Sequence, residues 1–302
     1  MVDAKIVVTV DGKQYSFPLK QEKNVPNSFD MPPCLPCCFP YLDDFKNVII
    51  FDEGVANLEA CIKAKQINLE KTEFLGIEKN EITDISIVST AKKLTDLSAS
   101  YNKIKDLTPL KGLMGLRSID LSYNRIEDLT PLEGLKLERV ILDYNKIKDV
   151  TPLKKVTSLK RLLLYENQIK DISPLKGLPL ENLNCSSNQI ENIDVINAMT
   201  ELKYLYCQSN KIRKVCINNK HLHRLELGYN LIENINFVTE LNLEYLRLEY
   251  NKIKDITPLI VAIKKGKLKQ LRYVSLTGNP LNFNKVRKQL ATIKRKQIEI
   301  DI

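Results

Sequence analysis

The sequence predicts an α/β horseshoe solenoid, with a parallel sheet on its concave face and short 3₁₀ turns or extended chain on its convex side. Three observations predict it. One Asn recurs at positions 80, 102, 124, 145, 167, 188, 210, 230, 251 and 279, in steps of 22, 22, 21, 22, 21, 22, 20, 21 and 28 residues. Apolar residues accompany it eight, five and three positions before and two and five after, as in Leu116-Arg-Ser-Ile119-Asp-Leu121-Ser-Tyr-Asn124-Arg-Ile126-Glu-Asp-Leu129. Each copy is also too short to hold a strand, its turns and a full crossover helix.

The residues five and three before the Asn are spaced by two, so both side chains point to one face of a short strand. Copies stacked in register add strands at about 4.8 Å each and share one continuous core. A sheet on one side and a bulkier return path on the other bend the stack, with the sheet inside.

Taken from the N-terminus, Lys5–Val10 and Gln14–Leu19 flank Asp11-Gly12, a hairpin signal. A Pro- and Cys-rich stretch follows, Pro32-Pro33-Cys34-Leu35-Pro36-Cys37-Cys38-Phe39-Pro40. A strand at Asn47–Phe51 and a helix near Glu53–Lys65 lead into the first repeat. Residues 1–64 therefore form an N-terminal cap or a small α+β module, and both readings stay open. Cys34, Cys37 and Cys38 have zinc-like spacing, but only Cys61 follows nearby, and zinc ordinarily takes a second pair. No metal site and no cofactor is expected.

Residues 65–281 hold the array of about ten repeats. The Asn amide can donate to and accept from the backbone of the turn that leaves the strand. Four residues on stands a second column, Asp84, Asp106, Asp128, Asp149, Asp171 and Asp255, with Asn192 and Asn234 in two copies. Most of these precede Thr-Pro-Leu or Ser-Pro-Leu, a good start for a short helical turn. One carboxylate per copy suits a cap, whereas Ca²⁺ needs about six oxygens or more. Cys185 and Cys207 take a core position usually held by Leu and read as small buried hydrophobes. Tyr101, Tyr123, Tyr144, Tyr229 and Tyr250 directly precede the Asn, a repetition that suits stacking between copies. The last step inserts Ile260–Leu268, read as a longer outer helix, and residues 282–302, with a helix around 283–294, close the array as a C-terminal cap.

The net charge of +9 is confined to one end. Residues 264–296 contain eleven Lys or Arg and no acid, and residues 1–263 balance. That run is either the solvated exterior of the cap or a patch for an acidic protein or nucleic acid. With seven Cys and several of them in core positions, a disulfide framework is not expected. No apolar stretch has the length of a membrane helix, so no membrane contact is expected. The two His, 221 and 223, and the lack of a Gly-rich phosphate loop or a nucleophile paired with a base speak against an enzyme.

Side chains six, four and two residues before the Asn leave the sheet on its open face. The first third of this face, apart from Phe74, is small and acidic. Further along it carries Asp120, Ile141, Leu163, Tyr165, Tyr204, Tyr206, Arg224, Glu226, Tyr245, Arg247, Glu249 and Tyr273. Apolar, Tyr and Arg side chains on neighbouring strands are the residue types of binding hot spots. These twelve are the candidate partner-binding residues.

The pattern Leu-x-x-Leu-x-Leu-x-x-Asn-x-Ile-x-Asp-Ile/Leu-x-Pro-Leu over about residues 65–302 resembles the short leucine-rich repeats of the regulatory subunit of type-one protein phosphatase, and equally those of bacterial internalins. The C-terminus, from Thr277-Gly-Asn-Pro-Leu281 through Val286-Arg-Lys-Gln-Leu290 to Asp301, is similar to the compact cap of the intracellular members. A cytoplasmic monomer is expected, with the nucleus as the alternative location. The phosphatase regulator holds its enzyme with concave acidic and aromatic residues. The matching column here keeps Asp120, Tyr206 and Glu226 and departs at Ile141, Leu163 and Arg247. The sequence thus predicts a non-enzymatic scaffold that binds a protein on its concave face, phosphatase regulation being the narrower form. The alternatives are a nucleic-acid or ribonucleoprotein subunit acting through 264–296, and an internalin-like binding protein of a bacterium.

Overall fold

The computed structural model describes residues 5–10, 13–18, 47–50, 54–291 and 298–302. Strands β1 (Lys5–Val10) and β2 (Lys13–Pro18) form an antiparallel hairpin about residues 11–12. All other strands form one parallel sheet of twelve, in chain order. They are β3 (Asn47–Ile49), β4 (Phe74–Gly76), β5 (Asp96–Ser98), β6 (Ser118–Asp120), β7 (Arg139–Ile141), β8 (Arg161–Leu163), β9 (Asn182–Asn184), β10 (Tyr204–Tyr206), β11 (Arg224–Glu226), β12 (Tyr245–Arg247), β13 (Tyr273–Ser275) and β14 (Glu299–Asp301). The sheet is one strand longer at each end than the Asn count: β3 precedes the first Asn and β14 follows the last. The Cys34, Cys37 and Cys38 segment lies outside the described residues.

The return path is short, as the repeat length requires. Five to three residues of 3₁₀ helix serve most copies, at Ser86–Thr90, Thr108–Leu110, Thr130–Leu132, Thr151–Lys155, Ser173–Leu175, Asp194–Ala198 and Asn236–Glu240. The long last step makes an α-helix instead, α2 (Thr257–Lys264), after α1 (Leu58–Ala64) at the other end of the array. Helix α3 (Phe283–Leu290) packs on α2, and β14 then pairs with β13. The 20-residue copy between β10 and β11 has no helical turn. Two asparagines stitch it instead. Asn197 donates to the Cys216 carbonyl and accepts from the Asn218 N–H, while Asn219 donates to the Ile196 and Met199 carbonyls.

The core is a single apolar column running the length of the array, with Leu75, Leu97, Ile119, Val140, Leu162, Leu183, Leu205, Leu225, Leu246 and Val274 buried at the same strand position. Cys185 and Cys207 are buried in it, their sulfurs 3.0 Å apart.

The Asn column is a hydrogen-bond ladder that ties each copy to the one before. Asn145 is typical. Its Nδ2 donates to the Leu142 and Asp143 carbonyls of its own copy and to the Leu121 carbonyl of the preceding one, and its Oδ1 accepts the Ile126 N–H. The residue before each Asn adopts positive φ, at 52–56° for the nine that are not Gly. The left-handed turn aims the Asn amide back into the stack. The Asp column caps as expected: Asp106, Asp128 and Asp149 each accept the N–H two residues on at 2.8 Å, and Asn192 and Asn234 do the same at 2.7 and 2.8 Å. The Ser86 bonds hold the Asp84 carboxyl below the usual range, and those of Thr130 do so for Asp128.

Candidate protein interface

The twelve candidate residues all belong to strands β6–β13 or to the turn just after them, and all lie on the open face of the sheet. Register puts several of them directly opposite one another: Ile141 pairs with Leu163, Tyr204 with Arg224, Tyr206 with Glu226 and Tyr245 with Tyr273. On the same face Arg139, outside the twelve, pairs with Arg161.

The face divides into two parts. Between β7 and β9 it is apolar, built from Ile141, Leu163 and Tyr165, with Asp120 and Asp143 at its edge. Burial raises Asp143 to about 6 against the Tyr165 N–H, whose 2.7 Å bond to Oδ1 favours the carboxylate. Between β10 and β14 it is a woven layer of aromatic and charged groups. Glu226 lies between Arg224, at 3.4 Å, and Arg247, at 4.0 Å, and accepts from Gln208. Burial raises its carboxyl, and the two guanidiniums oppose that rise. Arg224 stands 4.6 Å over the Tyr245 ring and Arg247 5.8 Å over that of Tyr273. The Tyr273 hydroxyl donates to Asp301 at 2.6 Å, which extends the layer onto the last strand.

Three of the twelve are covered by their neighbours: Ile141 is 8% exposed, Tyr206 6% and Glu226 4%. Long side chains on strands about 4.8 Å apart lean on each other, so the middle row of the face becomes a supporting layer. Leu163, Tyr165, Tyr204, Arg224, Tyr245, Glu249 and Tyr273 keep partial exposure, and Arg247 is exposed. One oxygen of Glu249 is buried without a hydrogen bond, as is Asn182 Oδ1 on β9.

The tyrosines before the Asn column border this face and stack. Ring centroids lie 4.1 Å apart for Tyr101 and Tyr123, 4.0 Å for Tyr123 and Tyr144, and 4.5 Å for Tyr229 and Tyr250. Tyr165 meets Tyr144 edge-on at 5.1 Å and links that stack to the apolar part. Tyr229 and Tyr250 remain 53% and 49% exposed.

A further column escaped the reading of the sequence. Seven residues before the Asn stand Arg117, Glu138, Lys160, Glu181, Lys203, His223, Glu244 and Arg272, nearly alternating in sign. They join across copies: Lys160 to Glu138 at 3.0 Å, Lys203 to Glu181 at 2.8 Å and His223 to Glu244 at 3.0 Å. The signal was present as charge at a fixed repeat position. This column zips one flank of the sheet, beside the candidate face.

The basic C-terminal run is partly used by the fold. Lys267 pairs with Glu240 at 3.5 Å and Lys285 with Asp255 at 3.0 Å. On the convex side, a groove of about 540 Å³ is lined by Asp171, Ser173, Lys176, Asn192, Asp194 and Asn197; Asp171 and Asn192 cap turns there and Asn197 donates to the Cys216 carbonyl. Among the described residues, no group of three or more His, Cys, Asp or Glu is placed to hold a metal, and no helix is long and apolar enough to cross a membrane.

The family model described as Leucine Rich repeats (2 copies) matches residues 92–134 and 180–219. Among solved structures, an internalin (InlF) of Listeria monocytogenes is 32% identical, with 85% of this chain and 82% of that chain covered and a TM-score of 0.63. The functional domain of InlJ from the same bacterium, which includes a cysteine ladder, is 29% identical over 70% of this chain and 46% of that one, with a TM-score of 0.57. The plant peptide hormone receptor RGFR1, in complex with RGF2, is 19% identical over 70% of this chain and 40% of that one and shares the fold, with a TM-score of 0.57. A comparison with curated proteins finds no match.

Proposed function

The chain belongs to the leucine-rich repeat family, with internalins among its structural neighbours, and from that premise we propose that it is a non-enzymatic scaffold holding a protein partner against the open face of its sheet. The observation that carries this reading is the clustering of Leu163, Tyr165, Tyr204, Arg224, Tyr245, Arg247 and Tyr273 on adjacent strands of one face. None of their tips is needed for the core, which lies on the opposite side of the sheet. The Asn ladder and the woven Arg–Tyr–Glu layer hold these groups in place before a partner arrives, so little freedom is lost on binding. The plant receptor that shares the fold is in complex with RGF2, which supports ligand binding by a protein of this fold.

The test is a pull-down with Leu163→Glu and Tyr204→Ala proteins whose circular dichroism and melting match the parent. Loss of the parent's partners is expected. An unaltered partner set with an intact fold would remove the proposal.

A narrower reading makes the partner a type-one phosphatase; of Asp120, Tyr206 and Glu226 in the column that the resembled regulator uses, Asp120 keeps partial exposure and the other two are covered. Its test is direct binding of purified phosphatase at micromolar concentration. No binding there removes the narrower reading and leaves the scaffold.

A further inference from the structure

Several charged positions pair with an opposite charge one copy away. The flank column alternates in sign, and further pairs join Lys155 to Glu133 and Lys103 to Glu81 one copy apart. Among the described residues, Arg139 and Arg161 are not paired in this way. They occupy the same position on β7 and β8 and are direct cross-strand partners. Like charges directly opposite on neighbouring strands destabilise a sheet. The nearest carboxylate in sequence, Glu138, is already taken by Lys160. Among the described residues no ion pair or hydrogen bond engages either guanidinium, and both residues are exposed. Burial, and then the charge of Arg139, pull Arg161 below its ordinary value, and the charge of Asp143 opposes that fall.

Their surroundings narrow what would supply that anion. Ile141 and Leu163 are the next outward pair on the same two strands and form an apolar floor beside the guanidiniums. Asn182, on the next strand in the arginine column, has its Oδ1 buried and unpartnered. Asp143 is the acid within electrostatic range of Arg161, and its Oδ1 is committed to the Tyr165 N–H. The column holds Ser118 before the two arginines and Asn182 and Tyr204 after them. The positive spot is therefore two rungs wide, about 5 Å between strands. A polyanion would need a stripe of cations, whereas two guanidinium forks fit one carboxylate.

We propose that Arg139 and Arg161 together clasp an Asp or Glu side chain of the partner protein, while an adjoining apolar side chain of the partner rests on Leu163, which Ile141 backs. This rests on the concave-face reading above and specifies its partner as a segment that places an acid beside an aliphatic or aromatic residue.

The experiment selects random twelve-residue peptides displayed on phage against the full-length protein. The enriched sequences are then made synthetically and titrated against the parent, the R139Q/R161Q double variant and Leu163→Glu. The expected result is enrichment of Asp or Glu next to Leu, Ile or Phe, with at least tenfold weaker binding to the double variant. Replacing the peptide's acid by Gln then costs the parent the same factor and costs the double variant nothing further. Peptides that lose binding to Leu163→Glu but bind R139Q/R161Q unchanged overturn the clasp and leave the concave face standing. Peptides indifferent to all three substitutions overturn the concave-face reading itself.

Discussion

Replacing Asn145 by Ala removes one rung of the ladder and nothing else of comparable size. The side chain donates at 3.0, 3.1 and 3.2 Å to the Leu121, Leu142 and Asp143 carbonyls and accepts the Ile126 N–H at 2.9 Å. Asn145 is buried, so water does not replace it without opening the turn. An orphaned buried N–H costs about 1–3 kcal/mol, and each lost bond to a carbonyl adds about 0.5–1.5 kcal/mol. Counting the three shared donations as about two effective bonds gives a total near 3–5 kcal/mol. The rung joins two copies, so the loss weakens an interface between repeats, the term on which a solenoid's cooperativity rests. The assay is urea unfolding followed by far-ultraviolet circular dichroism and by tyrosine emission, because the chain has twelve Tyr and no Trp. A loss below about 1 kcal/mol, with the slope unchanged, would refute the claim that the Asn column clamps successive copies.

Asp149→Ala removes a solvent-exposed cap and is expected to cost only about 0.5–1 kcal/mol in the same assay, so the two columns separate by magnitude. Asp143 titrates near 6 in the fold, above its unfolded value of about 3.9, so stability is greatest with the proton on and falls as pH rises from about 4 to 6. Asp143→Asn keeps the acceptor for the Tyr165 N–H; it should raise stability above pH 6 by up to roughly 2 kcal/mol and flatten that slope, as read by melting from pH 4 to 8. A Cβ on Gly278 would meet the Tyr250 ring at 2.5 Å, so Gly278→Ala should cost about 1–3 kcal/mol, with most of it recovered in a Tyr250→Ser background measured by a double-mutant cycle.

The array was readable from sequence because its physics is local. A strand position, an Asn turn and a Thr-Pro cap each need only a few neighbouring residues, and Asn145, Asp149 and Leu162 perform in space what their spacing says. Side chains on the open face were also assigned to it by period two. Their exposure was not readable, because it depends on how residues some 20 positions apart lean together. Ile141 and Tyr206 are covered by such neighbours, and Glu226 is enclosed by Arg224, Arg247 and Gln208. The missing helical turn between β10 and β11 has the same origin, since Asn197 and Asn219 replace it by bonds that reach across copies. The flank column is legible in the sequence as nearly alternating charge seven residues before the Asn, a signal independent of the apolar period.

The most direct test of a partner on the open face is site-specific photocrosslinking in the native cell. A benzophenone side chain is placed at Leu163 or Tyr245 on the face, or at Lys176 on the convex side. A protein adduct that forms from positions 163 and 245 and not from 176 is the predicted result. The same adduct forming from position 176, with none from the face, would contradict it.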